Sequence, residues 1–317
     1  MKYRKLGSTG IKVSALCLGT MQFGWTADEA KSFEILSAAY EAGINFFDTA
    51  DIYSNWVAGN SGGVSEEIIG NWWKQAQIPR ESLIIATKVR GQMGNPPTEG
   101  LSGKRILEMV ENSLRRLQVD YIDLYQAHWV DENVDIKETL HAFDDLIKMG
   151  KVRAIGCSNY SGAQLREALE VSEKFGLARY ETLQPHYNLV YRGEYERELA
   201  GICREENIGV IPYSPLAAGF LTGKYSRNHK ADSVRSESVA KYFNEKNWRL
   251  LDEMGKIASA HNATLAQVAL AWQLADESIS SPIIGANSVA QLEDSLGAVD
   301  LVLEDVEKAI LDKLSAW

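Results

Sequence analysis

Cysteine is scarce: there are three in 317 residues, Cys17, Cys157 and Cys203, and none sits at CxxC spacing. An odd, unclustered set supports neither a disulfide framework nor a zinc ribbon, and reduced thiols in a cytoplasm are the plain expectation. Long apolar runs are missing as well. No stretch reaches the roughly 18 apolar residues that a membrane helix needs. The start, Met1-Lys2-Tyr3-Arg4-Lys5, turns polar before a signal-peptide core can form. The expected protein is soluble and cytoplasmic, with no membrane partner. Positive charge is in deficit, since 33 Lys and Arg face 43 Asp and Glu for a formal net charge of −10. That is the wrong sign for a protein that neutralises phosphate backbones, so no nucleic-acid partner is expected. His141, His186, His229 and His261 lack metal-ligand spacing, and they read as structural or solvated, with no metal site. Internal repeats and low-complexity tracts are absent.

What is present is an ordinary globular composition, 45% hydrophobic and 24% charged, enough to bury a large core. At about 150 residues per domain the length suggests two domains, but one α/β barrel of this size is common. Short β-branched and apolar runs predict strands near 15–18, 44–47, 83–86, 122–126, 153–156, 182–183, 210–212 and 282–284. Between and after them, amphipathic stretches predict helices near 28–42, 65–75, 103–117, 136–149, 162–175, 194–206, 247–261, 264–275 and 289–297. This alternation runs from end to end without a break in composition. It predicts a single (β/α)8 TIM barrel over residues 1–317, with long loops on its carboxyl face.

Local signals agree. Gly43 and Gly150 stand where helices must stop before strands, positions that favour a residue free of Cβ. Thr264 followed by Gln267 forms a capping-box pattern. In the 136–149 helix, Ile136, Leu140, Phe143, Leu146 and Ile147 share one stripe, whereas Lys137, Glu138, Asp144, Asp145 and Lys148 fall outside it. Three polar intervals, 54–63, 91–102 and 226–246, follow strands, on the rim where barrels build their sites. The longest, 226–246, is expected to order over a bound cofactor.

A barrel interior wants branched apolar side chains, so titratable residues at strand ends ask for an explanation. Asp48, Lys88 and His128 end three consecutive strands, and Tyr53 follows Asp48 in the loop. Together they suggest acid catalysis on a carbonyl. A tyrosine in water has a pKa of about 10, and an ammonium such as Lys88 beside it is expected to lower that value. A buried lysine needs a carboxylate to stay charged, and Asp48 fits that part. Neutral His128 could orient the substrate oxygen against the Tyr53 hydroxyl. The missing nucleophile would be a hydride.

Along essentially its whole length the chain resembles the aldo-keto reductase superfamily. The motifs that carry the likeness are Phe47-Asp48-Thr49-Ala50-Asp51-Ile52-Tyr53, Ala86-Thr87-Lys88, Tyr125-Gln126-Ala127-His128, Ile155-Gly156-Cys157-Ser158-Asn159 and Tyr213-Ser214-Pro215-Leu216 through Leu221-Thr222-Gly223-Lys224-Tyr225. The resemblance implies reduction of an aldehyde, ketone or sugar by NADPH, with NADH possible, on a barrel that has no Rossmann fingerprint; no GxGxxG occurs here. It implies a catalytic tetrad of Asp48, Tyr53, Lys88 and His128, with Tyr53 as proton donor. It further implies nicotinamide contacts from Ser158, Asn159, Gln184 and the ring of Tyr213, with Gly19, Thr20, Met21 and Asp48 also toward the cofactor. Ser214, Leu216, Gly219, Leu221 and Lys224 would face the pyrophosphate through backbone N–H groups. Gly285, Asn287, Gln291, Asp294 and Ser295 would face the adenosine. Many relatives carry a cation where Asn287 stands, and Lys224 and Arg235 are the candidates to replace it toward a 2′-phosphate. Substrate contacts are expected from Trp25, Tyr53, Trp56, His128 and Trp129, with Tyr187 and Phe220 as further aromatic candidates. Two other readings belong to the same barrel: a cofactor-binding regulatory subunit of the channel β-subunit type, and a Schiff-base aldolase using Lys88.

Overall fold

Eight short runs rich in branched apolar residues pair side by side and close on themselves. In the computed structural model, which describes residues 1–94, 98–227 and 236–317, an N-terminal hairpin precedes them. Its strands are β1 (Tyr3–Lys5) and β2 (Lys12–Ser14), paired antiparallel. The barrel strands are β3 (Cys17–Gly19), β4 (Phe46–Asp48), β5 (Ile84–Val89), β6 (Ile122–Ala127), β7 (Val152–Ser158), β8 (Tyr180–Gln184), β9 (Gly209–Val210) and β10 (Ile283–Gly285). All neighbours are parallel, in the order β10-β3-β4-β5-β6-β7-β8-β9. The ring closes where the Ser280 N–H donates to the Val210 carbonyl and the Ile283 N–H to the Pro212 carbonyl, each at 2.8 Å.

Each predicted strand has its counterpart, and the helices pack outside. They are α1 (Glu29–Glu41), α2 (Val64–Ala76), α3 (Gly103–Leu117), α4 (Ile136–Lys148), α5 (Gly162–Phe175), α6 (Ala200–Glu205), α7 (Ser236–Val239), α8 (Glu245–Ala260), α9 (Leu265–Leu274), α10 (Val289–Leu296) and α11 (Asp305–Ser315). Gly43 and Gly150 both adopt positive φ after their helices, and Thr264 and Gln267 form the capping box. On α4 Leu140, Phe143 and Leu146 of the stripe are buried and Ile136 and Ile147 partly so, but Asp144 departs from the expectation. It is buried too, because its Oδ1 accepts the Ala178 N–H at 3.0 Å. The 194–206 stretch begins as a π turn, Tyr195–Leu199, before α6. Of the interval 226–246, residues 228–235, Arg235 among them, lie outside the described residues.

The barrel interior divides by polarity. Its lower part is apolar: Leu6, Ile11 and Val13 of the hairpin region plug the bottom against Cys17, Phe46, Ile84, Ala86, Leu124 and Ala154. Above them the strand ends turn polar, with Asp48, Lys88, Gln126, Ser158 and Gln184 all buried. The three cysteines are free and buried. Among the described residues no helix is long and apolar enough to cross a membrane.

Candidate active site

The end of β4 carries Asp48 and the end of β5 carries Lys88, and their parallel pairing sets the two side chains together inside the barrel. The Lys88 ammonium donates to Asp48 Oδ2 at 2.6 Å, to the Thr49 carbonyl at 2.7 Å and to the Tyr53 hydroxyl at 3.0 Å. Its three protons thus have three partners. The loop between Asp48 and Tyr53 is stitched to β5, with the Thr49 N–H on the Ala86 carbonyl and the Asp51 N–H on the Lys88 carbonyl. Asp48 Oδ1 accepts from Gln184 Nε2 at 2.8 Å and from Gln126 Nε2 at 3.4 Å. His128 follows β6, its ring 6.1 Å from that of Tyr53 between centroids. Three neighbouring strands therefore deliver all four predicted residues to one point.

Electrostatics shift Lys88, His128 and Tyr53 from their ordinary pKa values. Burial alone would lower the Lys88 pKa, but Asp48 and then Tyr53 overcome it, and the ammonium is held above the usual lysine value. With its three protons engaged and its side chain fully buried, Lys88 is poorly placed as a Schiff-base nucleophile, which counts against the aldolase reading. Burial, then the charges of Lys88 and Arg90, push His128 well below the usual histidine range, so its ring is neutral. Tyr53 reverses the expectation drawn above. Its pKa is raised, because burial outweighs the pull of Lys88 and Asp48 adds to the rise. The charge of Lys88 is largely answered by Asp48, which leaves less of it to favour a phenolate.

These groups form the floor of an elongated cavity of about 670 Å³. Of the predicted positions, Gly19, Thr20, Met21, Asp48, Tyr53, Trp56, His128, Trp129, Ser158, Asn159, Gln184, Tyr213, Ser214, Leu216, Gly219, Lys224, Gly285, Asn287, Gln291, Asp294 and Ser295 line it. Lys88 lies just beneath. Asn159, at φ 58°, is locked in place: its Nδ2 donates to the His128 carbonyl at 2.9 Å, and its Oδ1 accepts the Tyr213 hydroxyl at 2.9 Å. The Tyr213 ring is backed by His186, with centroids 5.1 Å apart and planes 11° apart.

Five placements differ from the expectation. Leu221 is sealed in the core and does not line the cavity. Its N–H and that of Gly219 both go to the Leu216 carbonyl, so these amides serve the turn rather than a ligand. Trp25 stands behind Trp56, edge to face at 5.7 Å, instead of lining the cavity. Tyr187 is buried against Tyr195 and Trp272, and Phe220 against Tyr242 and Trp248. Sequence reading also missed Gln22, Thr26, Ile52, Ala218, Thr222 and Ala266, which line the cavity. Ile52 and Thr222 stood inside the motifs quoted above, and Ala218 in a run of small residues where Ala217, Ala218 and Gly219 all take positive φ, whereas Gln22, Thr26 and Ala266 carried no signal.

The cavity suits an extended anionic ligand on one structural count. A Cβ on Gly219 would lie 2.9 Å from Lys224 Nζ, so the glycine makes room for that ammonium at the wall. Lys224 is the sole cation among the described lining residues.

Comparison with known proteins follows the same line. A model of the aldo/keto reductase family matches residues 15–316. An uncharacterized oxidoreductase of Bacillus subtilis is 39% identical over 309 residues, spanning 96% of this chain and 93% of its own. A Schizosaccharomyces pombe protein named as an aryl-alcohol dehydrogenase is 34% identical, over 98% of this chain and 95% of its own. An Arabidopsis thaliana protein named as a voltage-gated potassium channel β subunit is 33% identical, over 99% and 98%.

Proposed function

Because the chain belongs to the aldo/keto reductase family, we propose that it is an oxidoreductase that reduces a small, uncharged aldehyde or ketone with NADPH, Tyr53 giving the proton. The observation that carries this reading is the Lys88 ammonium bonded to both Asp48 and the Tyr53 hydroxyl at the floor of a long cavity. When bound, the reduced dinucleotide supplies the hydride.

Tyr53 would give its proton to the carbonyl oxygen as negative charge gathers there. The raised pKa of Tyr53 suits this order of events. The phenol keeps its proton in the resting site and releases it only to an alkoxide, which is far more basic than a phenolate. Lys88, kept charged by Asp48, stabilises the phenolate that remains. Neutral His128 gives an N–H to the substrate oxygen without competing as an acid.

Ser158, Asn159 and Gln184 would hold the nicotinamide carboxamide and Tyr213 the ring face, while Lys224 would meet phosphate. Around Tyr53 and His128 the walls are Ile52, Trp56 and Trp129, with Trp129 stacked on His128 at 3.6 Å. The carboxylate that lines this end, Asp48, is paired with the Lys88 ammonium beneath it, so an uncharged carbonyl compound is the fitting substrate class.

The likeness to channel β subunits supports a second reading, a cofactor-binding regulatory subunit with little turnover. One assay separates the two. NADPH oxidation with a panel of aldehydes and ketones, run beside nucleotide binding by fluorescence, should show turnover. Binding without turnover across the panel would favour the regulatory reading.

A further inference from the structure

Two atoms of the polar tier have no partner in the chemistry described above. Gln126, fully buried on β6, points Nε2 at Asp48 Oδ1, but its own Oε1 accepts nothing from the protein. Thr182, fully buried on β8, has an equally unpartnered hydroxyl. The strand register relates them. Gln126 pairs with Gly156 of β7, and Gly156 pairs with Thr182, so the two residues flank one glycine inside the barrel. The Thr182 hydroxyl leans into the space that the glycine leaves, since a Cβ at 156 would lie 2.0 Å from Oγ1. An amide oxygen only accepts, whereas a hydroxyl both donates and accepts. Leaving either one dry is unfavourable, and polar groups so placed are ordinarily satisfied by one buried water.

We propose that Gln126 Oε1 and the Thr182 hydroxyl share a buried water beside Gly156, and that this link makes Gln126 a positioning residue for Asp48. The water gives the amide oxygen a partner on the side away from the carboxylate. That fixes the sense of the amide. Turned over, Gln126 would set its oxygen against Asp48 Oδ1 and leave Gln184 as the only amide donor there. Asp48 in turn holds the Lys88 ammonium that touches Tyr53, so the effect would reach the proton donor through two hydrogen bonds. The inference rests on the reductase reading for its catalytic consequence, but not for the water itself.

The test is a double-mutant cycle on the full chain with Gln126→Leu, Thr182→Val and the pair, with Thr182→Ser as the conservative control. Gln126→Leu should lower kcat about tenfold and Thr182→Val about threefold, with nucleotide Kd unchanged. The pair should be no worse than Gln126→Leu, and Thr182→Ser should match the parent. A crystal structure near 1.5 Å resolution should show the water in the parent and its loss in Thr182→Val. No water in the parent, or additive losses in the pair, would each overturn the proposal. If the protein reduces nothing, the reductase reading falls on that assay alone. The water density and the same cycle read as urea stability then decide the link, with additive stabilities counting against it.

Discussion

Asp51 lies three residues from Asp48, yet its side chain serves a different environment. Both of its oxygens are sealed from solvent and accept no hydrogen bond of ordinary geometry. Burial, followed by the charge of Glu66, raises its pKa to about 8 against the opposing pull of Arg116 and Arg105. An unfolded aspartate titrates at about 3.9. Between those values the folded chain therefore holds a proton that the unfolded chain has released, and stability falls as pH rises through that window. Asp51→Asn should flatten the decline. Urea denaturation from pH 5 to pH 9 checks this, and an unchanged slope in the variant would contradict it. Tyr53 teaches the same lesson at the site itself. Its type and spacing were legible in the sequence, but the sign of its pKa shift depends on depth of burial and on how far Asp48 neutralises Lys88. Neither quantity is written in a motif.

Elements with local signals were legible, and those held by distant contacts were not. Helices α1 and α4 end at glycines with positive φ, and α9 starts at a capping box. The strands of the β1–β2 hairpin have three residues each, too short for a period, and they are fixed by packing under the barrel. Helix α11 was missed because its capping box is Glu304 with Glu307, outside the usual set of cap residues, and because it buries little besides Leu311 and Ser315. Close approach between elements is equally hidden. On α2, a Cβ at Gly70 would lie 2.3 Å from the Arg116 carbonyl oxygen of α3. Gly70→Ala should force these helices apart and destabilise the fold by about 1–3 kcal/mol. A urea midpoint equal to the parent's would show that the crossing yields freely.

At the scale of the molecule, the rim was readable because a (β/α)8 barrel gathers every strand end on one face. That rule brought Asp48, Lys88 and His128 together from sequence positions 80 residues apart. It could not place side chains whose direction depends on loop conformation, and Leu221 and Trp25 are the cost. Nor could it foresee Thr26 and Ala266, which reach the cavity through packing rather than motif. Nucleotide choice is likewise a property of the whole cavity. With Lys224 as the sole cation among its described lining residues, NADPH should raise the thermal midpoint more than NADH at equal concentration. Equal shifts would mean that the 2′-phosphate is not recognised. The central claim, that Tyr53 gives its proton to a carbonyl oxygen, is tested most directly by Tyr53→Phe. We predict that single-turnover NADPH oxidation with an aldehyde falls by at least about a thousandfold while nucleotide Kd stays within about twofold. Turnover near the parent's rate with intact nucleotide binding would contradict the account.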